Sequence, residues 1–396
     1  MTIIPLREAI YHSKLVGSKS ANLSVLLQHQ IRTVDGIVIV APYTRTDLQN
    51  VWNKMEGAAP LAVRSSMSSE DTEYSSAAGR YETILGVASF EEFVYAVHEV
   101  ISSGYDAVNK AALVQPLIAG YCSGVLFTQS PISVNAMMIE SIYGLGESLV
   151  SGKTTPDHFE LNRETGVVVK ERITNKKTHG IFVSPQPSLE IGHQVEYPIG
   201  KVRCTFSFGT KFIGSVSYRG QQSPSLSEEQ LIGLYNLGIQ LERIFGTPQD
   251  IEWTIDEYGI CLLQTRPIVV KQQSITEKES LLQNACLEGF PASSGTVSGS
   301  VIQYEDLELQ GAMKDHYIVV GYETSPKIIY HLNQVKGIVT EFGGMLCHAA
   351  IVAREFGIPC VVGVRGAMEV LQTGDVITVD GSQGLVFKGD EHGTLF

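Results

Sequence analysis

The sequence lacks paired cysteines. Its six, at positions 122, 204, 261, 286, 347 and 360, include no CxxC and no Cys/His zinc spacing. That argues against a disulfide scaffold or a structural zinc site and leaves reduced thiols as the simplest reading. It is also short of positive charge: 29 Lys and Arg stand against 42 Asp and Glu, for a net charge of −13. Such a balance excludes a broad nucleic-acid footprint or adhesion to an anionic membrane surface. It does not exclude a local basic pocket. No basic start followed by a long apolar stretch opens the chain, so no signal peptide is expected. Apolar runs such as 36–41 are strand-sized, against the roughly 20 residues a membrane span needs. Low-complexity tracts and internal repeats are absent. These absences predict a cytoplasmic protein with neither nucleic acid nor membrane as partner.

What remains is the composition of a globular protein, with 43% hydrophobic and 18% charged residues. A length of 396 residues predicts two or three domains. Leu23, Leu26 and Leu27 give 17–30 helical spacing after a Gly/Ser/Lys opening, and 37–41 reads as a buried strand. A short strand at 61–64 runs into a polar loop at 65–76. Phe93, Val94, Val97 and Val100 form the apolar stripe of a helix over 90–102. From 111 the chain is strand-rich, with candidates at 113–115, 124–128, 137–140 and 166–169. A long amphipathic helix over 227–245 opens on Ser227, a capping residue. Strands at 250–255 and 259–265 then make a hairpin. The polar stretch 271–280 carries no core pattern and predicts a linker, and a compact unit of short strands and glycine turns follows 289.

That last unit holds Thr340, Gly343, Gly344, Cys347, His348, Arg354, Glu355, Gly357, Pro359 and Gly363 in one short run. The pattern predicts a strand over 337–340, a glycine loop, a helix beginning near His348, a turn at Gly357 and another strand. Adjacent glycines let backbone approach a bound group. A helix N-terminus offers free N–H donors and a positive dipole end to a phosphate. The same dipole disfavours imidazolium, which keeps a histidine there neutral and nucleophilic. A lone histidine in this position is more often a capping or packing residue. The whole run, however, closely resembles the phosphohistidine motif of the family comprising phosphoenolpyruvate synthase, pyruvate phosphate dikinase and rifampin phosphotransferase, T-x-x-G-G-x-x-x-H-A-A-I-V-A-R-E-x-G-I-P-x-V-V-G. Every fixed position is met from Thr340 onward. The resemblance implies that His348 accepts phosphate from ATP and passes it to a second substrate. Gly295 to Gly299 and Gly374 to Gly381 are similar to the rest of that family's swivelling domain.

The first 270 residues resemble the same family's ATP-grasp module. Gly17-Ser18-Lys19 is similar to G-G-K, with Ser18 in place of a glycine, and implies that Lys19 contacts ATP phosphates. Alone, Lys19 would read as a solvated surface residue. Ala62, Val63, Arg64, Ser65, Ser66, Glu70 and Asp71 resemble V-R-S-S-x-x-x-E-D, and Gly79, Glu82 and Thr83 follow at the family's distance. Arg64 would bind phosphate in a fork geometry that lysine cannot supply. Gln115 and Leu117 stand where the family's inter-lobe strand meets adenine. Gly144, Gly146 and Glu147, with Val150, Ser151 and Gly152, are similar to G-L-G-E-x-x-V-S-G. Glu252 and Gln264 fall on neighbouring strands at an even separation across the hairpin, which lets both face one pocket. The resemblance makes them the Mg²⁺ ligands, a pair of hard oxygen donors supplemented by phosphate and water. Arg266, two residues beyond Gln264, shares that face and would neutralise the transferring phosphate. A structural Glu252–Arg266 salt bridge is the competing explanation.

The resemblance thus implies a multidomain protein of α/β and α+β class: a two-lobed ATP-grasp nucleotide-binding module followed by a small β/β/α phosphohistidine swivelling domain. The expected divisions are 1–110 for the N-terminal lobe, 111–270 for the C-terminal lobe, 271–288 for the linker and 289–396 for the swivelling domain. Catalysis would fall to His348, Arg64, Arg266 and Lys19. ATP would be held by Lys19, Arg64, Gln115, Leu117, Gly144, Gly146, Glu147, Gln264 and Arg266. Two departures qualify the likeness. The first lobe is pared down, without the family's P-V-P-P-G-F after its first helix. No acceptor domain, neither a pyruvate-binding barrel nor a helical drug-binding domain, is expected within these residues. The implied activity is a dikinase-type phosphotransfer from ATP to a small-molecule acceptor. The alternative is a phosphocarrier that passes phosphate to a separate acceptor protein, such as a pyruvate-binding subunit.

Overall fold

The computed structural model describes the chain apart from residues 1, 56–57, 59, 68–70, 73–74, 77–82, 104–108, 119, 132, 147–148, 150–153, 175–179, 183–193, 198–199, 207–213, 218–223, 269–285, 308–316, 324–327, 329–330, 332, 346 and 390–396. Glu70, Gly79, Glu82, Glu147, Val150, Ser151, Gly152 and most of the expected linker therefore lie outside the described residues. The chain divides into two compact units. One comprises Met1–Gln129, Ala136–Gly146 and Asp157–Val269; the other comprises Ser130–Asn135, Glu147–Pro156 and Val270–Phe396.

The first unit contains two main sheets. β1 (Ile3–Pro5), β2 (Ile37–Val40), β3 (Leu61–Ser65), β6 (Thr83–Val87) and β7 (Ala111–Pro116) form a sheet in the order β1-β2-β7-β3-β6, beside a two-stranded ribbon of β4 (Asp71–Thr72) and β5 (Ser75–Ser76). Helices α2 (Arg45–Met55) and α3 (Phe90–Ser102) cover this sheet. Their contact centres on Trp52, whose ring lies 5.7 Å from that of Phe93. Ser89 caps α3 by accepting from the Glu92 N–H, so the expected boundaries of that helix hold. α2 went unread in the sequence, although Leu48, Val51, Trp52 and Met55 form its buried stripe.

The second sheet runs β11-β10-β9-β8-β16-β17, built from β8 (Cys122–Phe127), β9 (Ala136–Tyr143), β10 (Asp157–Asn162), β11 (Val168–Arg172), β16 (Gln249–Asp256) and β17 (Gly259–Pro267). All its pairings are antiparallel. One face is apolar, with Leu126, Met137, Ile139, Phe159, Ile251 and Trp253 sharing a core with Leu231, Leu234 and Leu241 of α4 (Glu228–Phe245). A reciprocal capping box between Ser227 and Gln230 starts that helix, and Gly246 in the left-handed region ends it. A further sheet of β12 (Gly180–Phe182), β13 (Gln194–Tyr197), β14 (Gly200–Phe206) and β15 (Gly214–Ser217) lies between these elements in sequence.

Helix α1 (Ser13–Gln28) leaves helical geometry at Gly17, where φ is +75°. A side chain there would meet the Met67 carbonyl oxygen at 2.5 Å. Gly17 is required on both counts. Lys19 therefore stands in the first turn of a new helical segment.

The second unit is one eight-stranded sheet in the order β18-β25-β24-β20-β21-β22-β23-β19. Its strands are β18 (Leu287–Glu288), β19 (Phe290–Ser293), β20 (Thr296–Gln303), β21 (Tyr317–Gly321), β22 (Val335–Thr340), β23 (Cys360–Val362), β24 (Val376–Asp380) and β25 (Leu385–Lys388). The central pairs β20·β21, β21·β22 and β22·β23 are parallel. Parallel neighbours need a crossover, and α5 (His348–Phe356) supplies it between β22 and β23. That topology places the N-terminus of α5 just beyond the carboxyl end of β22, where α/β sheets bind ligands. A short α6 (Ala367–Val370) completes the unit. The fold is mixed α/β, as the sequence predicts.

Candidate functional site

In the first unit the structure brings Arg64, Glu252, Gln264 and Arg266 to one place. The loop bearing Lys19 is stitched to the strand bearing Arg64 through Ser66, a fully buried residue. Ser66 Oγ donates to the Val16 carbonyl and accepts from the Ser20 N–H at 3.1 Å. Its single proton is then spent, so in the 2.7 Å contact between the two hydroxyls Ser20 is the donor. Asn22 donates to the Thr265 carbonyl at 2.8 Å, fastening α1 against β17.

Glu252 on β16 and Gln264 on β17 are direct cross-strand partners, and so are Asp250 and Arg266. Direct partners share a face of the sheet and alternate residues repeat it, so all four side chains project together. Arg64 approaches from the first sheet, its Nη1 3.8 Å from Glu252 Oε2. The Arg64 Nε is buried and has no hydrogen-bond partner among the described residues. An orphaned guanidinium N–H beside a carboxylate fits a phosphate oxygen, which would satisfy it. The competing Glu252–Arg266 bridge is not formed. Arg266 instead donates from Nε to Asp250 at 2.9 Å, and Glu252 keeps its oxygens towards Arg64. Asp250 had no assigned role in the sequence, though its spacing of two from Glu252 puts it on the same face.

The other residues expected at the nucleotide lie elsewhere in the first unit or outside the described residues. Gln115 is buried, and its amide donates to the Val34 carbonyl at 2.6 Å. The Leu117 N–H donates to the Pro60 carbonyl at 2.9 Å. The Gln115 side chain and the Leu117 N–H thus each make a hydrogen bond within the protein. Gly144, at φ +83°, donates its N–H to the Tyr121 carbonyl at 2.9 Å. Gly146 lies over Ser123, 3.6 Å from where its own Cβ would stand. Glu147 is outside the described residues. No group of three or more His, Cys, Asp or Glu side chains able to hold a metal occurs among the described residues, so Glu252 and Gln264 stand as a two-residue oxygen pair.

On the same polar face as Glu252, two strands away, the fully buried Glu140 opposes His158. His158 Nδ1 lies 3.6 Å from Glu140 and Nε2 lies 3.2 Å from Glu160. Burial is the largest single influence on this imidazole and works against its proton, but the two carboxylates outweigh it and raise the pKa. Sequence reading missed this trio because its members come from two strands whose register only the fold fixes.

In the second unit His348 is the first residue of α5, as the sequence predicts. The N-cap, Cys347, gives the first turn no side-chain hydrogen bond, so the helix end keeps donors for an anion. Both ring nitrogens of His348 are buried without a hydrogen-bond partner among the described residues. Burial lowers its pKa, leaving the imidazole neutral at pH 7 with an unspent lone pair. The preceding loop turns at Gly343, φ +112°, and closes with the Cys347 N–H donating to Gly344 at 3.1 Å.

Among the described residues no helix is long and apolar enough to cross a membrane. Residues 45–284 match the family model described as the AMP/ATP-binding domain of pyruvate phosphate dikinase. Residues 313–384 match that of the mobile domain of PEP-utilising enzymes. The probable phosphoenolpyruvate synthase of Pyrococcus horikoshii is 33% identical over 353 residues, covering 83% of this chain and 41% of that protein. The phosphoenolpyruvate synthase of Pyrococcus furiosus is 34% identical, with coverage of 83% and 41%. That of Aeropyrum pernix is 33% identical, with coverage of 88% and 47%. The chain spans less than half the length of these curated relatives.

Proposed function

The chain belongs to the family of pyruvate phosphate dikinase and phosphoenolpyruvate synthase, and from that premise we propose that it is an ATP-dependent phosphotransferase of dikinase type whose phosphoryl carrier is His348. The observation that carries the proposal is the state of His348: half-buried, its pKa lowered, both ring nitrogens shielded and without a hydrogen-bond partner among the described residues, at a helix N-terminus that has no side-chain cap. Residues 1–110 and 111–270 act as the lobes that bind ATP, and 289–396 as the swivelling carrier beyond the 271–288 linker.

Lys19, Arg64 and Arg266 neutralise the phosphates and hold them in line for attack. Gln115 and Leu117 meet the purine through their remaining acceptors and apolar surface, and Gly144, Gly146 and Glu147 close over the nucleotide. Glu252 and Gln264 would hold Mg²⁺, which when bound supplies further charge neutralisation on phosphate oxygens. A ring nitrogen of His348 forms the new N–P bond to the β-phosphorus as the bond from that phosphorus to the AMP oxygen breaks, and water cleaves the β–γ linkage. ATP and water leave as AMP and inorganic phosphate, and the β-phosphoryl group stays on the histidine until a small-molecule acceptor takes it.

The test uses ATP labelled at the β or the γ position. Acid-labile label should come from the β position alone, vanish in H348A and fall at least about tenfold in R64K, which loses the guanidinium fork. Absence of label on the wild-type chain would sink the proposal. In a second reading the acceptor is bound by a separate polypeptide. Steady AMP release by this chain with a small acceptor alone would exclude it. Pyruvate is the first to try, because the relatives are named for making phosphoenolpyruvate.

A further inference from the structure

Resting on the reading of His348 as nucleophile, we propose that Arg354 is the positioning residue that sets where the imidazole stands. Nothing polar orients the ring directly, because neither nitrogen has a hydrogen-bond partner among the described residues. The histidine is instead aimed by its own backbone, which means by the glycine loop and the first turn of α5. Whatever fixes that loop fixes the nucleophile.

Arg354 reaches two main-chain carbonyls. Its Nη2 donates to Met345, in the loop just before His348, at 2.6 Å, and its Nη1 donates to Ala292 on β19 at 3.0 Å. The guanidinium therefore bridges the loop to the sheet. Arg354 lies six residues after His348, and at roughly 100° per residue it leaves the helix on a different side from the imidazole. It can hold the loop without occupying the space where a phosphate would sit. A planar fork with its donors in fixed directions suits two carbonyls at once, which a lysine ammonium on a flexible stem does not. Gly343 and Gly344 contribute no side chains. The first part of the loop is held separately, by the Glu341 N–H to Gly321, the Phe342 N–H to Tyr322 and the Val364 N–H to Thr340, each at 2.9 Å, so the arginine acts on the part nearest the histidine, at Met345.

A purely structural arginine would affect folding and leave the histidine's chemistry unchanged, and that difference provides the test. In the intact chain without ATP, the His348 ring is titrated by NMR in wild type, R354A and R354K. β-Label incorporation and ATP affinity are measured on the same samples. We expect labelling of R354A to fall roughly tenfold to a hundredfold, the scale of a misplaced nucleophile. ATP affinity should be unchanged, and the His348 titration should move up towards its ordinary value as the ring loosens into solvent. Millimolar ethylguanidinium should restore part of the labelling. R354K should be intermediate, and it decides alone by the same readouts if R354A fails to fold. Labelling within about twofold of wild type, or a fall with an unmoved titration, overturns the inference. A wild-type chain that takes no label refutes the phosphotransferase reading instead. The titration then still judges Arg354, because it needs no ATP.

Discussion

His348 owes its reactivity to a balance that can be read in its pH dependence. Burial lowers its pKa from an ordinary value of about 6.5, so the folded protein keeps the neutral nucleophile at pH values where a free histidine is half protonated. Phosphohistidine formation measured against pH should therefore have its acid midpoint below about 6.5; a midpoint at or above that value would contradict the burial. Linkage has the matching sign. Below about pH 6.5 the unfolded chain takes up a proton that the folded one refuses, so this residue's contribution to stability falls as pH drops towards the folded pKa. The histidine and its motif were legible in the sequence because they are contiguous. Asp250, the partner of Arg266, was missed because a hydrogen bond between strands needs the register to be known. Ser66 was quoted in a motif, yet its bond to Val16 spans fifty positions and no spacing rule announces it.

Among the elements, α1 is the one whose irregularity matters most. The sequence predicts a helix from 17, whereas the structure begins it at Ser13 and breaks it at Gly17. The break aligns the Lys19 turn with the Ser66 loop. G17A would force an L-residue to φ +75° and press its Cβ against the Met67 carbonyl oxygen at 2.5 Å. We expect a loss of about 1–3 kcal/mol in urea unfolding together with weakened ATP binding by calorimetry. Wild-type values for both would show the kink to be incidental. Helices α3 and α4 were legible end to end because cap and stripe agree. β7 and β9 were found but grew by several residues, since their flanks are buried on both faces and carry no alternation to mark an end.

For the whole molecule, the trio of His158, Glu140 and Glu160 gives the second sheet a pH signature opposite to that of His348. The folded pKa of His158 is raised, so its stabilising contribution is complete below about pH 6.5 and disappears as pH rises through the folded pKa. Above that point the ring has lost the charge that the two neighbouring carboxyl groups favour. Urea midpoints of the intact chain should decline from pH 6 towards pH 9, and H158Q should flatten that decline. An H158Q profile parallel to wild type would remove His158 from the account.

The sequence by itself determined the family, the mixed α/β class and the identities of His348, Lys19, Arg64, Glu252, Gln264 and Arg266 as candidates. Each lies in a local run whose residue types have few other uses in that order. Only the tertiary structure decided that Arg64 faces Glu252 while Arg266 faces Asp250, that the Gln115 and Leu117 donors are already engaged, and that Arg354 bridges the histidine loop to β19. The physical reason is the same in each case. A motif fixes which groups a segment carries, but hydrogen bonds between distant segments are chosen by sheet register and packing, and these are properties of the whole chain.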